Sequence, residues 1–337
     1  MLRFSFKRLF TIFLARNREF YRDKPALIWS LLFPLILIFG FSVIFSDSGQ
    51  NQLKIGLINT PEIPDSLKKA QYVSFIFYED ALAAQEKVNQ HQIDALINWN
   101  EKLYITNQES PKGYLSQQLI ANHAPFLEHK YVSTKVIRYV DWVLPGVLGM
   151  NIMFSCLFGV GFVIVRYRKN GVLKRLKATP IQALEFVTAQ IFSRFFIVTL
   201  VTTFIFIATK LLLGFTVVGN YFYLFITFIL GASAMIALGF LVASTSKSEE
   251  LTSGMLNVAS WPMMMLSNVW FSLENAPQMI KGLANLLPLT HLVTASRSIM
   301  IEGAGFEQIA HHWIALLLMS LLFFSASAKF FDWGSAR

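Results

Sequence analysis

The sequence predicts an α-helical polytopic membrane protein with six transmembrane helices and a small α/β extracytoplasmic domain inserted between helices 1 and 2. Three observations carry this prediction. Hydrophobic residues make up 54% of the 337 and 32 residues are Phe, an apolar content above that of a soluble domain. The mean hydropathy of +0.50 is concentrated in six apolar segments, each long enough to cross the ~30 Å hydrocarbon core at ~1.5 Å per residue. One polar stretch of mixed charge, Asp47 to Asp141, separates the first of these from the rest. The formal charge of +9 does not point to nucleic acid, because Lys and Arg are bunched beside apolar segments, as positive-inside membrane proteins place them.

Residues 1–24 read as a cytoplasmic amphipathic helix lying in the interface. Leu2, Phe6, Leu9, Phe10 and Phe13 recur at helical spacing, with Arg3, Lys7, Arg8, Arg16 and Arg18 mostly off that stripe. Residues 25–45 form transmembrane helix 1. Its apolar run, Ala26 to Phe45, is long enough to span, and the basic region before it is longer than that of a signal peptide. Residues 46–141 form the inserted domain. Within it "QLKIGLINT" and "VSFIFYED" read as strands, "DALAAQEKVNQHQ" as a helix, and "IDALINWN" with "EKLYITNQ" as a hairpin through Asn98 to Glu101. The stretch "GYLSQQLIANHAPFLEHKYVSTKVIRYV" reads as helix returning to the membrane, with a break at Pro125.

Residues 142–337 hold helices 2–6, at Trp142 to Val165, Ala183 to Leu213, Tyr221 to Thr245, Leu251 to Phe271 and His312 to Phe331. Basic residues orient them. Seven (Arg3, Lys7, Arg8, Arg16, Arg18, Arg22, Lys24) precede the first span and six lie between Arg166 and Lys177, whereas the loop Gly214 to Asn220 has none. Both termini and the basic loop are then cytoplasmic, and the α/β domain is outside. Trp142, Trp270 and Trp313 fall at outer interfaces, Trp29 and Trp333 at inner ones. Residues 274–303, with Pro277 and Pro288, read as an outer re-entrant hairpin of two short helices, "PQMIKGLANLL" and "THLVTASRSIMI".

The chain carries no phosphate-binding G-x-x-x-x-G-K-[ST], no H-E-x-x-H and no G-x-S-x-G. Cys156, the single cysteine, excludes an intrachain disulfide and a thiolate zinc site. His311 and His312 are adjacent and so point about 100° apart on a helix, which is wrong for a shared metal. Arg194 and Lys210 sit near opposite ends of the third span, where both snorkel toward water. With no carboxylate partner in mid-membrane, a proton relay is excluded. The spans instead hold neutral polar residues: Asn151, Ser155, Thr199, Thr202, Thr203, Asn257, Ser260, Ser267 and Asn268. Either these hydrogen-bond helix to helix, or Asn151, Ser155, Thr199, Thr203, Asn257 and Ser260, with Trp261, line a substrate path. Pro262, after Trp261, predicts a kink in the fifth span.

The basic loop "VRYRKNGVLKRLKATP" has more structure than a topology signal requires. Asn170 is placed to cap a helix through Leu176, whose face carries Val172, Leu173 and Leu176 beside Lys174, Arg175 and Lys177. Thr179 to Gln182 has the form of a capping box with Pro180 at the first helical position, so the next span starts as a separate helix.

These residues resemble the ABC-2 type permeases of ABC transporters. The loop, residues 170–178, is similar to that family's coupling helix in Gly171, Leu173, Arg175, Leu176, Thr179 and Pro180, although Lys174 stands where many relatives carry an acid. "LPLTHLVTASRSIMIEG" resembles the family's outer hairpin in Pro288, Thr290, Arg297 and Gly303, and the order of parts matches along the whole chain. The resemblance implies a half-transporter that binds no cofactor itself. A cytoplasmic ATPase subunit, carrying ATP and Mg, would dock on Gly171, Val172, Leu173, Lys174, Arg175, Leu176, Lys177, Thr179 and Pro180. The other implied partners are a second permease subunit, identical or related, and the lipid bilayer, and a periplasmic adaptor is a further partner left open. The implied function is export of an amphiphile, a lipid, drug or natural product, across the bacterial cytoplasmic membrane. The alternative is a mechanotransmission subunit that relays ATPase motion to an extracytoplasmic partner.

Overall fold

The computed structural model describes residues 5–44, 53–58, 67, 72–78, 80–89, 93–108, 110–132, 139–246, 248–271, 273 and 276–330. Leu2, Arg3, Phe45, the start of the inserted domain at 46–52, residues 274–275 of the hairpin, Phe331 and Trp333 lie outside the described residues. The chain divides into two compact units, one of residues 1–42 with 140–337 and one of residues 43–139.

The smaller unit is a five-stranded mixed sheet covered on both faces. Its strands are β1 (Leu53–Ile58), β2 (Val73–Tyr78), β3 (Ala95–Asn98), β4 (Leu103–Asn107) and β5 (Glu128–Val132), in the order β2-β1-β3-β4-β5. The β1 strand pairs parallel with β2 and β3, β3 pairs antiparallel with β4 through Asn98 opposite Leu103, and β4 pairs parallel with β5. Two-residue alternation sends Ile55, Leu57, Ala95 and Ile97 to one face, where Ile120 of helix α4 (Pro111–His123) closes the core. On the other face Ile58 and Leu96 meet Ala84 and Val88 of helix α3 (Ala81–Asn89).

The β5 strand corrects the expected helix from Gly113 onward. Helix α4 stops at His123, since Pro125 disfavours helical geometry in the residue before it. The chain then gains a row of backbone partners by adding Glu128–Val132 to the open edge of β4.

The larger unit is helical. Helices α1 (Phe6–Arg22) and α2 (Lys24–Ile44) precede the insert. After it come α5 (Tyr139–Lys169), the short α6 (Val172–Lys177), α7 (Ala183–Leu213), α8 (Tyr221–Thr245), α9 (Glu249–Leu266), α10 (Gln278–Ala284), α11 (Pro288–Arg297) with a single π turn at Ser298–Glu302, and α12 (Phe306–Phe330). Among the described residues five helices are long and apolar enough to cross a membrane: α2, α5, α7, α8 and α12. The segment expected to span over Leu251 to Phe271 gives a shorter helix. At 18 residues, α9 is about 27 Å long. It ends because Ser267 leaves helical geometry and Asn268 turns to φ +55, with its side-chain oxygen accepting the Leu273 N–H at 2.7 Å.

Close approach in this unit depends on small residues and shared hydroxyls. A Cβ at Gly239 of α8 would meet the Leu157 carbonyl of α5 at 3.1 Å, and one at Gly146 of α5 would meet the Val269 carbonyl at 2.7 Å. Ser233 of α8 hydrogen-bonds Ser320 of α12 at 2.7 Å, and Trp313 donates to Thr227 at 2.8 Å.

Candidate functional site

The basic loop folds as an extension of the helices on either side of it. At the end of α5 the Asn170 N–H reaches the Arg166 carbonyl at 2.9 Å and the Gly171 N–H reaches that of Arg168 at 3.2 Å. Gly171 has φ +67, a left-handed conformation that glycine adopts without a Cβ penalty. Its own carbonyl then accepts the Arg175 N–H at 3.1 Å and opens α6. Gly171, and not Asn170, is therefore the boundary between the two helices. The capping box expected at Thr179 to Gln182 forms three residues later, at Gln182 to Glu185. Gln182 is extended, at φ −85 and ψ 152, and its N–H donates to the Glu185 carboxylate at 3.0 Å.

The loop's residues divide by exposure. Leu173 is 2% exposed and belongs to the chain's own core, whereas Arg175, Thr179 and Pro180 are exposed and Val172 is half-buried. Arg175 donates to the Asn170 carbonyl at 3.2 Å. Lys174, Leu176 and Lys177 complete the helical turn, and their side chains lie outside the described residues. Among the described side chains the exposed edge is therefore Arg175, Ala178, Thr179 and Pro180; Leu173 faces inward, because a six-residue helix holds its place only by burying an apolar side chain.

Glu185 joins this loop to α1. Its side chain, 0% exposed, accepts from Arg8 Nη2 at 2.7 Å and Nε at 3.0 Å, and from the Ser5 N–H at 2.6 Å. Further along α1, Asn17 accepts from Ser193 of α7 at 2.9 Å, and Arg16 donates to Tyr167 of α5 at 3.0 Å while pairing with Glu19. Lys169 meets Glu249 of α9 at 3.3 Å, and Arg168 donates to the Ser246 carbonyl at 2.8 Å. Glu185 is legible in the sequence by one signal: it is the only acid between Arg166 and Leu213 and stands three residues after Gln182, the spacing of a capping box. Arg194 departs from the snorkelling expected of it. It is buried at 8% exposure and lies directly against Gly159 of α5, because α1 covers this part of α7 through the Asn17–Ser193 bond.

The residues expected along a substrate path separate into three places. Thr199 and Thr203 line a cleft of about 120 Å³ between α7 and α8, together with Thr202 and with Ile152 of α5 at its back. Asn151 instead donates to the Ser30 carbonyl at 3.2 Å and ties α5 to α2; Ser155, four residues on, is half-buried in the same helix. Ser260 donates to the Asn257 carbonyl at 3.3 Å within α9, and Asn257 and Trp261 are exposed on that helix beside Val258 and Met265.

The four hairpin residues act as fasteners. Pro288 starts α11, and Thr290 donates to Ser267 at 2.9 Å in a buried contact. The Arg297 guanidinium lies 3.9 Å from the Trp142 ring centre, donates to the Trp142 carbonyl at 3.2 Å and reaches that of Asn268 at 2.6 Å. Gly303, at φ +69, ends the π turn against Val218. His312 also has a partner that sequence spacing does not suggest: its Nδ1 lies 2.9 Å from Nδ1 of His291, whose Nε2 donates to the Asn285 carbonyl.

The profile of the ABC-2 family transporter proteins matches residues 24–329. The chain belongs to the ABC-2 family. This ABC-2 chain is 25% identical to the inner membrane transport permease YhhJ of Escherichia coli (strain K12) over 52% of its own length and 47% of that protein's, so the match spans about half of that relative. It is 18% identical to the probable multidrug ABC transporter permease YbhS of the same strain, over 97% of this chain and 95% of that one. The daunorubicin resistance ABC transporter permease protein DrrB1 of Streptomyces coeruleorubidus is 25% identical over 51% of this chain and 61% of its own.

Proposed function

We propose that this chain is the permease subunit of an ATP-driven exporter, docking a separate ATPase at the edge formed by Arg175, Ala178, Thr179 and Pro180. The observation that carries the reading is the placement of α6. It is anchored inward by Leu173, closed off from α5 by Gly171, and continuous with the α7 turn that Glu185 ties to α1. A push on its exposed edge therefore reaches α1, α5 and α7 together, and ATP and Mg are needed only on the partner.

In this reading both termini and the basic loop face the cytoplasm, the α/β unit is extracytoplasmic, and α9 crosses the bacterial inner membrane as a sixth span with little tilt. A second permease subunit completes the assembly against exposed apolar surface such as Val258, Trp261 and Met265 of α9. The cargo is an amphiphile, in keeping with the multidrug and daunorubicin names of two relatives.

The test is affinity purification of the tagged protein in mild detergent. Wild type is expected to bring down an ATPase, and Arg175→Glu to recover at least about tenfold less, the loss expected from reversing one charge in a desolvated contact, with unchanged helical content. Equal recovery by Arg175→Glu would remove the docking edge, and no ATPase in several detergents would overturn the exporter reading. Leu173→Asp is the poorer probe, because it buries a charge inside this chain.

A further inference from the structure

The cleft between α7 and α8 is apolar along its length and charged at one end. Its α7 wall is a stripe of Phe195, Thr199, Thr202 and Phe206, a spacing that keeps side chains on one face. Its α8 wall runs from Tyr221 to Ala232, about 16 Å along the helix axis. That is close to the depth of one leaflet, half of the ~30 Å hydrocarbon core. No charged side chain lines these walls.

The charge stands just beyond them. One turn past Phe206, the same stripe of α7 continues to Lys210, which is the only charged residue between Phe195 and Ser246. At 31 residues, α7 is about 46 Å long, which matches the ~40–45 Å of a bilayer with its headgroups. Lys210, in the last turn, therefore lies at headgroup depth. Among the described residues its one hydrogen bond crosses to α8, where it donates to the Tyr221 hydroxyl at 3.4 Å, and its ammonium lies 5.6 Å from the centre of that ring. Tyr221 in turn meets Phe206 edge-on, with ring centres 6.2 Å apart. The cation, the phenol and the first ring of the cleft are thus contiguous, and Lys210 and Tyr221 are both exposed. No acid pairs with Lys210 among the described residues.

We propose that this cleft binds one anionic phospholipid of the bilayer, with its phosphate on Lys210 and Tyr221 and an acyl chain lying between α7 and α8. An ammonium has three N–H donors and Lys210 spends one on Tyr221, whose own O–H is still free to donate. Two donors and a positive charge at headgroup depth suit a phosphate, and apolar walls one leaflet deep suit the chain attached to it. A free phosphate would engage the mouth and leave those walls unused. A zwitterionic headgroup brings a cation of its own beside Lys210 and gains less from it. The proposal goes beyond the exporter reading; only the assignment of the lipid to the outer leaflet rests on the orientation given there.

The test is photocrosslinking in nanodiscs of phosphatidylcholine, with a trace of phosphatidylglycerol or of phosphatidylcholine carrying the same diazirine acyl chain, and mass spectrometry of the labelled peptides. In wild type the phosphatidylglycerol probe is expected to label the facing walls of α7 and α8 about fivefold more than the phosphatidylcholine probe, the worth of one lysine beside an anionic headgroup. Lys210→Gln should bring the two probes within about twofold, and Lys210→Arg should keep the excess. Thr203→Trp fills the cleft from an exposed position and should remove this labelling for both probes while leaving that of α12 unchanged. Equal labelling in wild type, an excess that survives Lys210→Gln, or cleft labelling that survives Thr203→Trp would overturn the proposal. So would displacement of the probe by millimolar glycerol 3-phosphate, since the occupant would then be a free anion. Because the assay contains no ATPase, its failure is separate from a failure of the exporter reading, which the co-purification decides.

Discussion

Glu185→Gln isolates the ion pair that fastens α1 to α7. Glutamine keeps a carbonyl oxygen for the Gln182 N–H and remains a competent capping-box residue, so the start of α7 is preserved. What it loses is Oε1, which accepts Arg8 Nη2 at 2.7 Å and the Ser5 N–H at 2.6 Å, and the negative charge that pairs with Arg8. Removing one partner of a buried pair costs about 3–5 kcal/mol. Arg8 is 27% exposed, so water recovers part of its solvation, and the expected loss is about 2–3 kcal/mol. At about 1.4 kcal/mol per factor of ten, amide protection in the first half of α1 should fall roughly 30- to 150-fold. Hydrogen exchange in lipid nanodiscs reads this directly, with α8 peptides as an internal control expected to stay unchanged. Protection within about threefold of wild type would refute the reasoning. It would mean that the Asn17–Ser193 bond and the Phe13–Phe196 contact, ring centres 5.8 Å apart, hold α1 without help from Glu185.

Two further outcomes follow from the geometry. Arg297→Lys keeps the charge but gives up the planar stack on Trp142 and cannot reach the Trp142 and Asn268 carbonyls in the same fork. A destabilisation of about 2–3 kcal/mol is expected, read as a lower thermal midpoint in detergent; an unchanged midpoint would show that the hairpin is held by Thr290 and its apolar contacts alone. In the sheet unit, His129 stacks on Tyr104 with ring centres 4.4 Å apart and bonds Thr106 at 2.7 Å, and burial lowers its pKa below the ordinary 6.5. The folded state therefore favours the neutral imidazole. Stability from this group is complete above pH 6.5, where both states are neutral, and is lost as pH falls toward the lowered folded value, because the unfolded chain takes up the proton first. Exchange protection of β4 and β5 should decline from pH 7 to pH 5, and His129→Gln should flatten that decline; the same slope in both proteins would assign it to another group.

The long helices were legible because their signal is local. The length and apolarity of α2, α5, α7 and α8 are properties of one segment at a time, and so is the basic loop with its glycine. The same locality explains the misreadings. Residues 128–132 continue a helical pattern, and only the unpaired edge of β4, supplied by residues more than twenty positions earlier, turns them into a strand. The fifth apolar run was read through Ser267 and Asn268, whose side chains find partners in Thr290 and Leu273 and end α9.

For the candidate sites the division is sharper. The sequence by itself determined the membrane class, the family, the place of the loop and the neutral character of the spans, because apolarity, charge and motif spacing are written along the chain. Only the tertiary structure decided which polar residues meet. It turned Leu173 inward, covered Arg194 with α1, set Arg297 on Trp142, and gathered Thr199, Thr202 and Thr203 into one cleft while sending Asn151 to another helix. The physical reason is that an apolar helix has no strong preferred face of its own. In α7 apolar side chains are spread over every face, so its rotation is set by which neighbours it packs against, and that rotation decides whether a threonine faces lipid, a cleft or a backbone carbonyl.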